Sequence, residues 1–247
     1  MQRSTSVTGE KSTTVLRYEL VPGRTVRFEV ELDLLVDVQT EDQDDRLHAE
    51  ITGDFDFEVV RVDGGTALVR LHPRNIDYWV KSDSSLDEEA VSEPLAGLPP
   101  AFLLDPRGNT SPLQDTTGKL LLRPDDTNAA PFIVEALFPL YAEEAVEPGD
   151  EWEVLLDHGT RARMDPGHAQ CAYVELEQDE HGHQEPVIRH AYAYEWRLPE
   201  GQEGATAYQA ITRVAARDGW PRQVEGQVEI RQRGSVSVVR IRARRLG

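Results

Sequence analysis

Residues Thr127 to Tyr141 read T-N-A-A-P-F-I-V-E-A-L-F-P-L-Y, and between Ala129 and Leu140 the only charged residue is Glu135. Apolar side chains there cover every face of a helix instead of one stripe, and a helix of that kind is buried on all sides. Asp126, Thr127 and Asn128 offer N-cap side chains, Pro131 fits only in the first turn, and Pro139 stops the helix. The stretch predicts a short central helix near 128–140, which the rest of the chain has to enclose.

What encloses it is legible as strands. Val26, Phe28, Val30, Leu32, Leu34, Val36 and Val38 alternate with Arg27, Glu29, Glu31, Asp33, Leu35 and Asp37, so one face is apolar and the other mostly acidic. The alternation resumes from Leu47 to Val59, with Glu50, Asp54, Asp56 and Glu58 on the polar side. Further strands are expected at Thr14–Val21, Ala67–His72, Ile76–Val80, Ala101–Leu104, around Trp152 to Leu156, and at Ala169–Leu176, Val187–Leu198, Ala205–Ala215, Arg222–Gln232 and Ser235–Arg244. Strands before and after one buried helix imply a mainly β (α+β) chain. Its architecture is a curved antiparallel sheet or half-barrel around that helix. Residues 1–13 read as a flexible lead, and 14–247 as a single β-rich domain.

Charge sharpens the arrangement. The net charge is −19, yet from Ala216 onward eight arginines face Asp218, Glu225 and Glu229, a local balance of +5 that leaves −24 on the preceding residues. Carboxylates opposite one another in a hairpin destabilise it, by about 0.2–1 kcal/mol per pair. The C-terminal strands are therefore expected beside the N-terminal ones, with Arg240, Arg242 and Arg244 near Glu29, Glu31, Asp33, Asp54 and Asp56. Two separate solvated faces are the other reading of the same charges.

Composition removes several classes. So acidic a chain repels nucleic acid and anionic membranes. No run approaches the roughly 18 apolar residues of a spanning helix, so the chain reads as not membrane-spanning. Cys171 is the only cysteine, which excludes an intramolecular disulfide and multi-cysteine metal sites. The polar N-terminus shows no signal peptide. The expected compartment is periplasm or cell envelope if the chain is a trimmed mature form, and cytoplasm otherwise.

Three phrases stand in order along the chain: Leu16-Arg17-Tyr18-Glu19-Leu20-Val21-Pro22-Gly23-Arg24, then Leu104-Asp105-Pro106-Arg107-Gly108, then Leu137-Phe138-Pro139-Leu140 with Val146-Glu147-Pro148-Gly149-Asp150-Glu151-Trp152. In this they resemble uncharacterised bacterial envelope proteins. They are similar in layout to the periplasmic lipoprotein carriers, whose incomplete β-barrel encloses helical segments. The resemblance implies an envelope protein that binds an apolar ligand, and it brings no catalytic residues with it.

Chemistry-bearing candidates are few. His181-Gly182-His183, among Glu177, Asp179, Glu180 and Glu185, is the nearest approach to a metal site, and it also reads as a solvated hairpin loop. Asp54, Asp56 and Glu58 share a strand face that cannot wrap round a calcium ion. Cys171, in a strand, reads as a small buried hydrophobe. No nucleophile elbow, P-loop, H-E-x-x-H or dinucleotide fingerprint occurs. Among the aromatics, Tyr78, Trp79, Tyr192, Tyr194, Trp196 and Trp220 suit either a ligand groove or core packing.

The sequence therefore predicts a non-enzymatic binding protein without a cofactor, whose concave sheet holds an apolar small molecule or docks a protein partner. The candidate ligand contacts are Phe132, Leu137, Phe138, Tyr141, Tyr192, Tyr194 and Trp196. A structural subunit of a larger assembly is the second reading, and a metal-assisted hydrolase using His181 and His183 is the third.

Overall fold

Turn residues set the strand pairing in the computed structural model, which describes residues 13–39, 44–82, 101–112, 134, 136–156, 167–197 and 203–247. Gly64 and Gly65 supply positive φ between β2 (Asp44–Asp63) and β3 (Thr66–Ser82), and Gly234 does so between β10 (Pro221–Gln232) and β11 (Ser235–Leu246). The remaining strands are β1 (Thr25–Gln39), β4 (Ala101–Leu104), β5 (Thr110–Pro112), β6 (Glu151–Leu156), β7 (Gly167–Gln178), β8 (Gln184–Arg197) and β9 (Glu203–Val214). All join one antiparallel sheet of 11 strands in the order β5-β4-β3-β2-β1-β11-β10-β9-β8-β7-β6.

That order is two meanders, β1 to β5 and β6 to β11, joined by the β1–β11 ladder. The C-terminal strand does lie beside the N-terminal one. Its register sets Glu29 opposite Arg244, Glu31 opposite Arg242 and Asp33 opposite Arg240. The corresponding ion pairs are 2.7, 3.9 and 3.1 Å. Asp54 and Asp56 are served differently, because β1 stands between β2 and β11. Asp56, 3 % exposed, is held by Arg27 from β1 and by Arg74 Nε of β3 at 2.9 Å, while Asp54 accepts from Asn75 Nδ2 at 2.8 Å.

The sheet is open and curled, with the oily stretch inside the curl. Phe138 packs on Phe57 of β2 (centroids 5.3 Å), Phe102 of β4 (5.5 Å), Tyr18 (5.8 Å) and Trp220 (5.9 Å). Leu140 accepts a bond from Trp152 of the edge strand β6 at 3.1 Å. Strands from both wings of the sheet thus meet one segment, which a flat sheet could not arrange.

The central helix near 128–140 is a correction. Among the described residues helical geometry is seen at Val134, Ala136 and Leu137 alone, and from Phe138 the chain is irregular; 128–133 and 135 lie outside the described residues. Pro139 lacks the N–H a helix needs there, and its ring forces Phe138 out of the helical region, so the stop acts before the proline. Burial continues past the last helical residues, for Ala136, Leu137, Phe138 and Tyr141 are each at most 1 % exposed. Thr14–Val21 also differs from expectation. It forms one bridge, Thr14 to Val146, and then an irregular, partly buried lead. Ala67–His72 and Ile76–Val80 prove to be one long strand, β3. Most of the expected flexible lead, and the early part of the expected helix, lie outside the described residues.

Candidate functional site

A helix end and the irregular buried chain after it leave their backbone carbonyls without helix partners, and each one left bare costs about 1–3 kcal/mol. Here side chains fill the need. Tyr208 Oη donates to Ala136 O (2.7 Å), Tyr18 Oη to Pro139 O (3.3 Å), Trp152 Nε1 to Leu140 O (3.1 Å) and Arg107 Nε to Tyr141 O (3.3 Å). Arg17 closes the series, donating to Ala142 O at 2.6 Å and to Glu143 O.

The three turn-bearing phrases of the sequence meet at this point. Tyr18 N donates to Pro106 O (2.9 Å) and Tyr141 N to Arg107 O (2.7 Å). Asp105 ties its own turn by accepting from Arg107 N (2.8 Å) and Asn109 N (2.9 Å). Gly108, at φ 94°, brings the turn so close that a Cβ would stand 2.2 Å from Pro139 O. Asp218, 2 % exposed, fastens the lead to the last strand through Arg24 and Arg245. Burial would raise its carboxyl, but the Trp220 N–H, Arg245 and Arg24 outweigh it and hold the group below the usual carboxylate range.

The same buried face continues as cross-strand rows, the first tied to the hub by Tyr208. One runs Val80, Ala49, Leu34, Val239, Val228, Tyr208, Tyr192, Ala169, Val154, with no polar side chain other than the tyrosine hydroxyls. The next, further from the hub, runs Leu47, Val36, Ser237, Ile230, Thr206, Tyr194. Tyr192 and Tyr194 stack, with centroids 6.0 Å apart and planes at 23°.

The expected contact residues thus fall in two groups. Leu137, Phe138 and Tyr141 belong to the hub, where Tyr141 Oη donates to Gly219 O. Tyr192 and Tyr194, each 7 % exposed, stand in the apolar rows and belong to the same buried core. Phe132 lies outside the described residues, and Trp196 stands in β8. Sequence reasoning passes over Tyr208 and His190, although the alternation that places Tyr192 on the inner face places them there too. His190, 1 % exposed, lies 3.2 Å from Tyr208 Oη, and burial pushes its imidazole down to about 3.

His181 and His183 sit at the exposed β7–β8 tip. Asp179 accepts from both their backbone N–H groups, at 2.9 and 2.8 Å, and its other oxygen lies 2.9 Å from His183 Nδ1. The His183 ring and these N–H groups bring the Asp179 carboxyl down to about 2. The carboxylate is occupied in holding the turn, and among the described residues no group of three or more His, Cys, Asp or Glu is placed to hold a metal. Burial pushes the Cys171 thiol up to about 12, which leaves it a poor nucleophile. No helix among the described residues is long and apolar enough to cross a membrane.

No protein-family model and no curated protein matches this chain. Among solved structures it is similar to lipovitellin, described for its lipid–protein interactions, with 11 % identity and a TM-score of 0.48 over 93 % of this chain. The chain spans 26 % of lipovitellin's length. It is also similar to an outer membrane channel of Pseudomonas putida F1, with 8 % identity and a TM-score of 0.30 over 93 % of this chain and 97 % of that one. Likenesses this distant carry no functional weight, which leaves the geometry of the inner face as the guide to function.

Proposed function

We propose that this chain is a non-enzymatic binding protein that holds an apolar ligand against the inner face of its sheet, on the side away from the Phe138 hub. The observation that carries this is the uninterrupted apolar row from Val80 to Val154, backed by the stacked Tyr192 and Tyr194. The hub is spoken for, since its rings pack on one another and its carbonyls are bonded. The wall made by Leu34, Val239, Val228, Tyr192 and Tyr194 has the composition of a lipid or other hydrocarbon site, apolar with a few hydroxyls to orient a head group. A bacterial envelope setting, suggested by the turn-bearing phrases, would supply such ligands.

Native mass spectrometry of the purified protein, with titration of a fluorescent long-chain acyl probe, tests the reading. A co-purified amphiphile and saturable probe binding are expected, with Tyr192→Ala and Tyr194→Ala together weakening the probe at least about tenfold, the effect of losing roughly 1.4 kcal/mol. A protein that carries nothing and binds the probe only in proportion to its concentration would contradict it.

A further inference from the structure

β3 is long, but β4 pairs only with Ala67 to Arg70, so among the described residues its outer edge from Leu71 to Ser82 has no strand beside it. Natural sheets protect such edges with proline, bulges and charge. Pro73 and Asn75, the latter at φ 51° beside the bulge facing Thr52 and Asp54, do this for the near part only. Beyond them, Asp77 to Ser82 pair regularly with β2, from Thr52 opposite Asp77 to Leu47 opposite Ser82. Among the described residues the outer side of that stretch is unpaired and presents an ordered row of N–H and C=O groups. It is also aromatic, with Tyr78 49 % and Trp79 50 % exposed. Asp77 and Lys81 are exposed, and among the described residues neither has an ion-pair partner within its own chain.

We infer that a second copy of this chain pairs with this edge, antiparallel, about a two-fold axis passing through Trp79, giving a symmetric dimer whose sheet runs on from one protomer into its partner. The choice of occupant follows from the register. In a two-fold antiparallel pair, residues equally distant from the centre face each other on the same side of the sheet. Centred on Trp79, Asp77 of each protomer faces Lys81 of its partner, so two opposite-charge pairs flank a central tryptophan pair on the outer face. Tyr78 meets Val80 on the inner face. Centring on Tyr78 sets Asp77 against Trp79 and Lys81 against Asn75, and centring on Val80 sets Trp79 against Lys81. Centring on Asp77 or Lys81 opposes like charges. Only the Trp79 register matches both charges, and it does so in a chain of net charge −19 whose copies otherwise repel.

Sedimentation equilibrium of the full chain tests this, using wild type, Lys81→Asp, Asp77→Lys and the double exchange Asp77→Lys/Lys81→Asp. Wild type is expected at twice 27.8 kDa. Each single reversal puts like charges opposite one another twice and is expected to weaken the dimer at least about tenfold. The double exchange restores opposite charges and is expected to recover the wild-type dissociation constant, which also separates a lost interface from a misfolded chain. A wild-type monomer at roughly 100 µM, far above a micromolar dissociation constant, overturns the inference. So does a dimer indifferent to the single reversals, or a double exchange that fails to recover association.

Discussion

His190 shows what one buried residue does here. Tyr208 spends its only proton on Ala136 O, so His190 Nε2 must be the donor in the 3.2 Å contact between them, and the neutral ring links β8 to the hub segment through the tyrosine. With a folded value of about 3, against roughly 6.5 in the unfolded chain, only the unfolded state takes up a proton between those limits. Stability is therefore fully present above about pH 6.5 and falls as pH drops toward 3, by about 1.4 kcal/mol per pH unit. Urea unfolding at pH 7 and pH 5 should differ by about 2 kcal/mol from this group. His190→Gln, which keeps an N–H for Tyr208, should remove that difference; an unchanged slope would show that another group is responsible. Asp56 and Asp218 act in a separate window. Arg27 chiefly holds the Asp56 carboxyl low, and both carboxylates lose their stabilising effect only as pH falls below the ordinary carboxylate value.

At the scale of the element, the β1–β11 ladder is where charge selects a neighbour. Arg242 stands between Glu31 of β1 and Glu225 of β10, and Arg240 between Asp33 and Gln227, so each arginine separates acids that would otherwise face acids or amides. The pairs are exposed, with the Arg242 side chain at 75 %, so each contributes only about 0–1 kcal/mol. Their value is in specifying which strand pairs with which. Reversal of both, Arg240→Glu with Arg242→Glu, replaces attraction by repulsion on the same rows and should destabilise the chain by roughly 1–3 kcal/mol. A thermal melt indistinguishable from wild type would leave the ladder to its backbone bonds and apolar inner face alone. The hub segment is held by the opposite means. Side-chain polarity predicts a helix there, but a non-helical path is as well buried once Tyr18, Arg17, Arg107, Trp152 and Tyr208 take its carbonyls.

For the whole molecule, the two meanders meet in the sheet only where β1 and β11 pair. That contact closes a loop of nearly the entire chain, so it carries the largest entropy cost of any pairing present. β11, β1 and β10 have strands on both sides and lie at the middle of the sheet, whereas β5 and β6 end it. Amide hydrogen exchange should accordingly be slowest in β1, β10 and β11 and fastest in β5 and β6. Uniform protection across the sheet would mean that the order of strands does not grade local stability.

Most strands are legible in the sequence because period-two alternation is a local property. Val26 to Val38 reads as a half-buried strand whatever pairs with it, and the arginines after Ala216 point to their acidic neighbours because opposite charge needs no knowledge of path. The turn phrases around Pro22, Asp105 and Pro148 are legible as turns for the same reason. What lies beyond the sequence is whatever depends on which distant groups arrive together. That includes the non-helical course of Phe138 to Tyr141, with donors drawn from positions as far apart as Tyr18 and Trp152, and the holding of Asp54 by β3 and of Asp56 by β1 and β3 instead of β11. It also includes the gathering of Tyr192, Tyr194 and Tyr208 into one buried core with Phe138, Tyr141 and Trp220. Polarity along a chain decides which residues leave water; only the folded sheet decides which of them meet.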